Sequence, residues 1–263
     1  MNIAGYLAAV LIGVSLGLIG GGGSILTLPV LVYLLGIDAV AATTYSLFVV
    51  GLSSATGALA YSRKKLVDLK MAFSFGMPSL AAVWVTRNYI LPAIPQQVCR
   101  VSGWVLDKDT LLMLFFALVM IGAAYSMIRK RPPVAAPGPG KINYALVLMQ
   151  GGLVGVVTGL IGAGGGFLVI PALVNWLKMP MKRAVGTSLL IITINSLAGF
   201  MFSMRSAQLQ WPLLATVSGL AILGILMGTF LAAKIDGNRL KPAFGWFVLV
   251  MGTYILLREI LLH

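Results

Sequence analysis

Residues 17–32, GLIGGGGSILTLPVLV, and residues 159–174, GLIGAGGGFLVIPALV, set runs of glycine inside long apolar stretches. Nothing else in the chain restricts its fold so much. A helix of roughly 20 residues crosses a ~30 Å hydrocarbon core. The apolar stretches that carry these runs, 3–35 and 144–177, are too long for one ordinary crossing. Backbone that leaves the helix exposes N–H and C=O groups, which survive at membrane depth only inside protein or beside a water-filled cavity. Each stretch is therefore expected to break at its glycines, with the break shielded from lipid. Glycine also lets another backbone or a ligand come close.

The surroundings justify treating the bilayer as the solvent. Hydrophobic residues make up 59% of the chain and charged residues 10%, with a mean hydropathy of +1.00. That balance is too apolar for a soluble globule and predicts an all-α polytopic membrane protein. Six further apolar stretches, 40–61, 71–91, 110–128, 184–204, 212–233 and 242–262, each suit one helix. The first basic residue is Arg63, so the opening segment lacks the basic flank of a secretory signal and is expected to remain. One cysteine, Cys99, and one histidine, His263, offer neither an internal disulfide nor a metal or haem cluster, and no cofactor is expected. The net charge of +13 is read as a topology signal, not as a nucleic-acid surface.

The stretch RKRPPVAAPGPGK, 129–141, has the charge, proline and glycine of a solvated linker. It divides the chain into a first transmembrane repeat, 1–128, and a second, 142–263. At an offset of 142, Gly17 pairs with Gly159, Gly20 with Gly162, Gly23 with Gly165, Pro29 with Pro171, Ser46 with Ser188, and Ser54 with Ser196. Corresponding glycine-broken apolar segments in two halves point to a secondary transporter and to its binding site.

Basic residues set the expected orientation. If each long stretch crosses once, ten Lys and Arg fall on one side and nine on the other. If each returns to its starting side, fourteen gather inside, including Arg63, the linker, Lys182, Arg183 and Lys241. Only Arg87, Arg100, Lys108, Arg205 and Arg258 then stay outside. The second arrangement obeys the positive-inside rule. It predicts a re-entrant hairpin plus three crossings per half, halves inverted relative to each other, and a multi-pass inner-membrane protein with a cytoplasmic linker.

Helices starting near Ile25 and Phe167 would leave free amides around Gly22, Gly23 and Ser24 and around Gly164, Gly165 and Gly166. Such termini favour anions. Two of them facing each other at the midplane form a cage for a small anion, whereas simple close packing of helices is the rival explanation for the glycines. Hydroxyls of Thr44, Ser46, Thr187 and Ser188 could complete the cage, or bond back to their own helices. Asn195 is a further polar candidate, with helix-to-helix bonding as its alternative. Asp38, Asp68, Asp107, Asp109, Asp236 and Glu259 fall in loops or near segment ends, so no mid-membrane carboxylate is expected as a proton relay. Arg87 and Arg205, toward segment ends, are expected to snorkel, with guidance of anions at the outer mouth as the alternative.

At these residues the chain is similar to the TauE/SafE family, the sulfite exporter or TSUP group of prokaryotic transporters. The likeness spans nearly the whole chain: GLIGGGGSILTLPVLV with TTYSL, then GLIGAGGGFLVIPALV with AVGTSLLI. Membership implies transport, usually outward, of sulfite, sulfoacetate or related organosulfonates. Gly21 is matched by Ala163 and Ser24 by Gly166, so the two breaks are not equivalent. An intramembrane enzyme would need a nucleophile with its base, paired acids or metal ligands, which this chain lacks. An anion channel, or an importer of another small organic anion, would use the same dipoles. The partners expected are a small anionic substrate and the lipid bilayer, with no nucleic acid; a homo-oligomer is left open.

Overall fold

The computed structural model describes residues 3–21, 23–101, 104–128, 144–162, 164–177, 179–204, 209–232 and 237–261. The linker 129–141, Gly22, Ala163 and Arg205 lie outside the described residues. The first half runs α1 (Ile3–Ile19), a glycine break, α2 (Ser24–Pro29) continuing as a π-helical turn (Val30–Leu34), then α3 (Ala39–Arg63). It goes on through α4 (Leu69–Val85), a second π turn (Thr86–Ile90), α5 (Leu91–Ala93), and α6 (Lys108–Ile128). The second half runs α7 (Tyr144–Ile161), a break, α8 (Gly166–Pro171) with its π turn (Ala172–Trp176), α9 (Met181–Ser203), α10 (Trp211–Ala232) and α11 (Gly237–Leu261).

Local chemistry explains the breaks. Gly20 and Gly162 adopt φ of +79° and +72°, and their amides close the preceding helices on Leu16 O at 2.7 Å and Thr158 O at 2.8 Å. A left-handed glycine at that point ends a helix without strain. Pro29 and Pro171 then remove a donor within the returning helix. Beyond each proline the helix widens, and Leu35 N and Leu177 N bond back five residues to Val30 O and Ala172 O, both at 3.2 Å.

Among the described residues, five helices are long and apolar enough to cross a membrane: Ala39–Arg63, Leu69–Ala93, Lys108–Ser126, Met181–Ser203 and Trp211–Ala232. Gly5–Ile19, Ser24–Leu34 and Ala145–Ile161 are shorter apolar helices, as expected of broken segments. Leu7, Leu11, Met149, Leu153, Leu223 and Phe230 are exposed on the outer faces, where lipid is the only solvent that suits them. The departure from an all-α chain is a short antiparallel ribbon, β1 (Gln97–Val101) with β2 (Trp104–Asp107), between α5 and α6.

Helix α1 packs on α10 and α7 on α4; α3 packs on α9, and α6 on α11. Exchanging the two halves maps this set of partners onto itself. Small residues let these helices approach closely. A Cβ at Gly17 of α1 would stand 2.6 Å from Thr229 N of α10, and one at Gly155 of α7 would stand 2.8 Å from Ala82 Cβ of α4. Burial gives little hydrophobic gain between helices already in lipid, so such backbone approach supplies the packing energy.

Candidate functional site

The two breaks touch. A Cβ on Gly166 would fall 2.8 Å from Gly21 Cα, and one on Gly21 would fall 2.9 Å from Gly166 Cα. Each break also leans on the other half's long inner helix. A Cβ at Gly20 would meet Val185 Cα of α9 at 3.0 Å, and one at Gly162 would meet Thr43 Cα of α3 at 2.6 Å. Val185 and Thr43 are themselves 142 residues apart.

The glycines of the breaks face different neighbours. Gly23 lies against α1, where an added Cβ would stand 2.5 Å from Ser15 Oγ and from Leu16 N. Gly165, with φ +66°, lies against Thr158 of α7. Gly164 points at Ser196, whose Oγ would be 2.5 Å from an added Cβ. Ser196 Oγ has no partner among the described residues.

Most of the candidate hydroxyls are tied to nearby backbone. Ser24 Oγ donates to Gly21 O at 2.7 Å. Ser188 Oγ donates to Val185 O at 2.8 Å and lies 3.2 Å from Gly20 O, across the halves. Thr187 Oγ1 accepts from Asp68 N at 3.0 Å, on the turn between α3 and α4. Asn195 Nδ2 donates to Ser79 Oγ of α4 at 2.6 Å, the helix-to-helix bond weighed for it, while its Oδ1 stays unbonded. Ser46 Oγ is buried without a partner. Thr44 lines a large cavity. Thr44 lies near the start of α3, whereas Thr187, on α9, meets the turn just beyond the end of α3, about 30 Å of helix away. The candidates therefore spread along α3 and α9, and the direct contacts among them and their neighbours are Gly21 with Gly166, Ser188 with Gly20, and Gly164 with Ser196.

That cavity has a volume of about 1240 Å³ and lies where α3 and α10 begin, α9 ends, and α5 meets the ribbon. Its wall contains Arg87 and Lys108, which are 5% and 7% exposed. The expectation of a snorkelling Arg87 is corrected here. The π turn at Thr86–Ile90 carries Arg87 to the inner side of the helix, and its Nη1 donates to Thr43 Oγ1 at 3.0 Å. Nε and Nη2 of the same guanidinium are buried without partners among the described residues. Lys108 Nζ donates to Leu91 O at 2.6 Å, and Asp109 Oδ1 accepts from Val40 N at 2.9 Å, capping α3. Sequence reasoning weighed a role for Arg87 in guiding anions at the outer mouth only as the alternative to snorkelling, because its position near a segment end gives no sign of a π turn.

Glu259 stands near a segment end, as expected. It is buried there, and Tyr33 Oη donates to its Oε1 at 2.7 Å. Arg258 lies over the Tyr33 ring with Cζ 3.9 Å from the centroid. Among the described residues no group of three or more His, Cys, Asp and Glu gathers in a way that could hold a metal ion.

Comparison with known proteins agrees with a membrane-embedded transporter. A probable membrane transporter protein of Xylella fastidiosa (strain Temecula1 / ATCC 700964) is 28% identical over 259 residues, covering 95% of this chain and 92% of its own. The probable membrane transporter protein YunE of Bacillus subtilis (strain 168) is 26% identical over 257 residues, covering 91% of each. A probable membrane transporter protein of Methanocaldococcus jannaschii is 32% identical over 116 residues, covering 42% of this chain and 43% of its own. No solved structure matches significantly. The model of the sulfite exporter TauE/SafE family matches residues 5–255, and the chain is a multi-pass membrane transporter belonging to that family.

Proposed function

We propose that the protein exports a small sulfur-containing anion, such as sulfite, sulfoacetate or a related organosulfonate, by alternating access across the inner membrane. In this reading the halves are inverted repeats, the linker is cytoplasmic, and the anion binds where the two glycine breaks meet. One observation supports it above the others: exchanging the halves preserves the helix contacts, yet a cavity of about 1240 Å³ opens beside Thr44 and Tyr45. At the equivalent place in the other half, Thr187 is covered by the α3–α4 turn through the Asp68 amide. One open and one covered end is the arrangement of a carrier caught facing one side, whereas a channel needs a continuous pore. The positive-inside count assigns the open end to the outside.

The test is counterflow. Labelled sulfite and labelled sulfoacetate are offered to proteoliposomes that contain the purified chain and are preloaded with the same unlabelled anion. Saturable uptake, accelerated by the internal anion, is expected. Flux that neither saturates nor responds to preloading would point to a channel, and absence of flux for both anions would reject this substrate class.

A further inference from the structure

Arg87 presents a problem that the protein alone leaves unsolved. A guanidinium carries five N–H donors and a permanent charge. Burying it without compensation is strongly unfavourable, above all within a bilayer. Of its nitrogens, only Nη1 has a bond, to Thr43 Oγ1, and no carboxylate pairs with it among the described residues. The Thr43 hydroxyl is itself held by donating to Val40 O at 2.7 Å, so it fixes the guanidinium in place. Nε and Nη2 are left unbonded.

Those two nitrogens share one edge of the guanidinium plane, the edge that meets two oxygens of a single oxyanion side by side. Arg87 lines the 1240 Å³ cavity with Nε and Nη2 just beneath its wall, so an anion entering there comes up to the guanidinium without crossing lipid. The other charged groups of that wall include Lys108 and Asp109, which are engaged by Leu91 O and Val40 N, and Asp38. Thr43 also abuts the second glycine break through Gly162. Arg87 thus sits between the open cavity and the place where the breaks meet.

We propose that Arg87 is an oxyanion-binding residue at the floor of this cavity, its Nε and Nη2 edge taking two oxygens of a sulfonate, sulfite or carboxylate while Thr43 holds Nη1. The proposal rests on the reading of the protein as an anion carrier and adds a recognition residue at its open end. Occupation of that edge supplies the missing hydrogen bonds.

The experiment measures binding of sulfite, sulfoacetate and acetate to the full chain in detergent micelles by calorimetry, for wild type, Arg87→Gln and Arg87→Lys. Both variants are expected to weaken binding by about tenfold or more, since glutamine loses the charge and lysine loses the fork. Thr43→Val, which releases Nη1, is expected to weaken binding by a smaller factor. Should Arg87→Gln not be recovered folded, Arg87→Lys decides alone. Wild-type binding that either folded Arg87 variant retains within about twofold would overturn this assignment and leave the export reading standing. Failure of the wild type to bind any of the three anions would overturn both.

Discussion

Gly162 and Gly36 share a backbone conformation but differ in surroundings, and the pair isolates what the glycine breaks need. Both have positive φ, +72° and +66°. A Cβ at Gly162 would strike Thr43 of the other half, whereas at Gly36 nothing lies within 4 Å. Gly36→Ala is therefore expected to cost about 1–2 kcal/mol from the left-handed conformation alone. Gly162→Ala adds an overpacking term of about 1–3 kcal/mol. Thermal unfolding in detergent should rank Gly162→Ala clearly below Gly36→Ala, and equal losses would mean that the contact between halves is soft. The glycine runs were legible in the sequence because run length and duplication are visible there. Which glycine faces which neighbour was not, since Gly21 meets Gly166 only after two distant segments cross. The burial of Arg87 was illegible for a related reason: hydropathy locates the end of a helix but carries no information on which way a π turn rotates it.

Helix boundaries were the most legible feature, because a hydrocarbon core of fixed thickness dictates the length of each apolar run. The stretches expected at 40–61, 110–128 and 184–204 became Ala39–Arg63, Lys108–Ile128 and Met181–Ser203. The ribbon between α5 and α6 was not foreseen, since its residues lie outside the apolar runs that fix the helices. Packing between elements turns on small residues, and α7 offers an internal control. Gly155 faces the Ser79 carbonyl and Ala82 of α4, while Gly152, one turn away on another side, has nothing within 4 Å. Gly155→Leu should separate α7 from α4 and abolish the monodisperse peak in size-exclusion chromatography. Gly152→Leu should leave that peak intact and, by removing a helix-interior glycine, stabilise α7 by about 0.5–1 kcal/mol. Loss of the peak in both variants would show that α7 tolerates no bulk on either face, which would undercut the Gly155 contact as the cause.

At the scale of the whole molecule, two hydrogen bonds stand at corresponding places yet close different gaps. Asp68 N donates to Thr187 Oγ1 at 3.0 Å, and Gln210 N, 142 residues beyond Asp68, donates to Tyr45 Oη at 2.6 Å, Tyr45 being 142 residues before Thr187. A threonine is short, so the α3–α4 turn must lie directly on α9; Leu66 O there would be 2.5 Å from a Cβ at Gly186. A tyrosine is several bonds longer, so at the other end the chain before α10 is held away from α3, and Tyr45 and Gln210 both line the open cavity. The proposed alternating access requires the Asp68–Thr187 contact to part at each turnover. The double variant Asp68→Cys/Thr187→Cys, in a Cys99→Ser background, tests this. Before cross-linking it should exchange anion, with some loss of stability because the Asp68 carboxylate also caps α4 through Met71 N at 3.0 Å. A short, reducible bifunctional thiol reagent should then cut counterflow by about tenfold or more, and reduction should restore it, as expected when one of two states is locked. Each single cysteine variant should be insensitive to the reagent. Undiminished counterflow in a fully cross-linked double variant would mean that this end stays closed throughout the cycle, and alternating access through it would have to be abandoned.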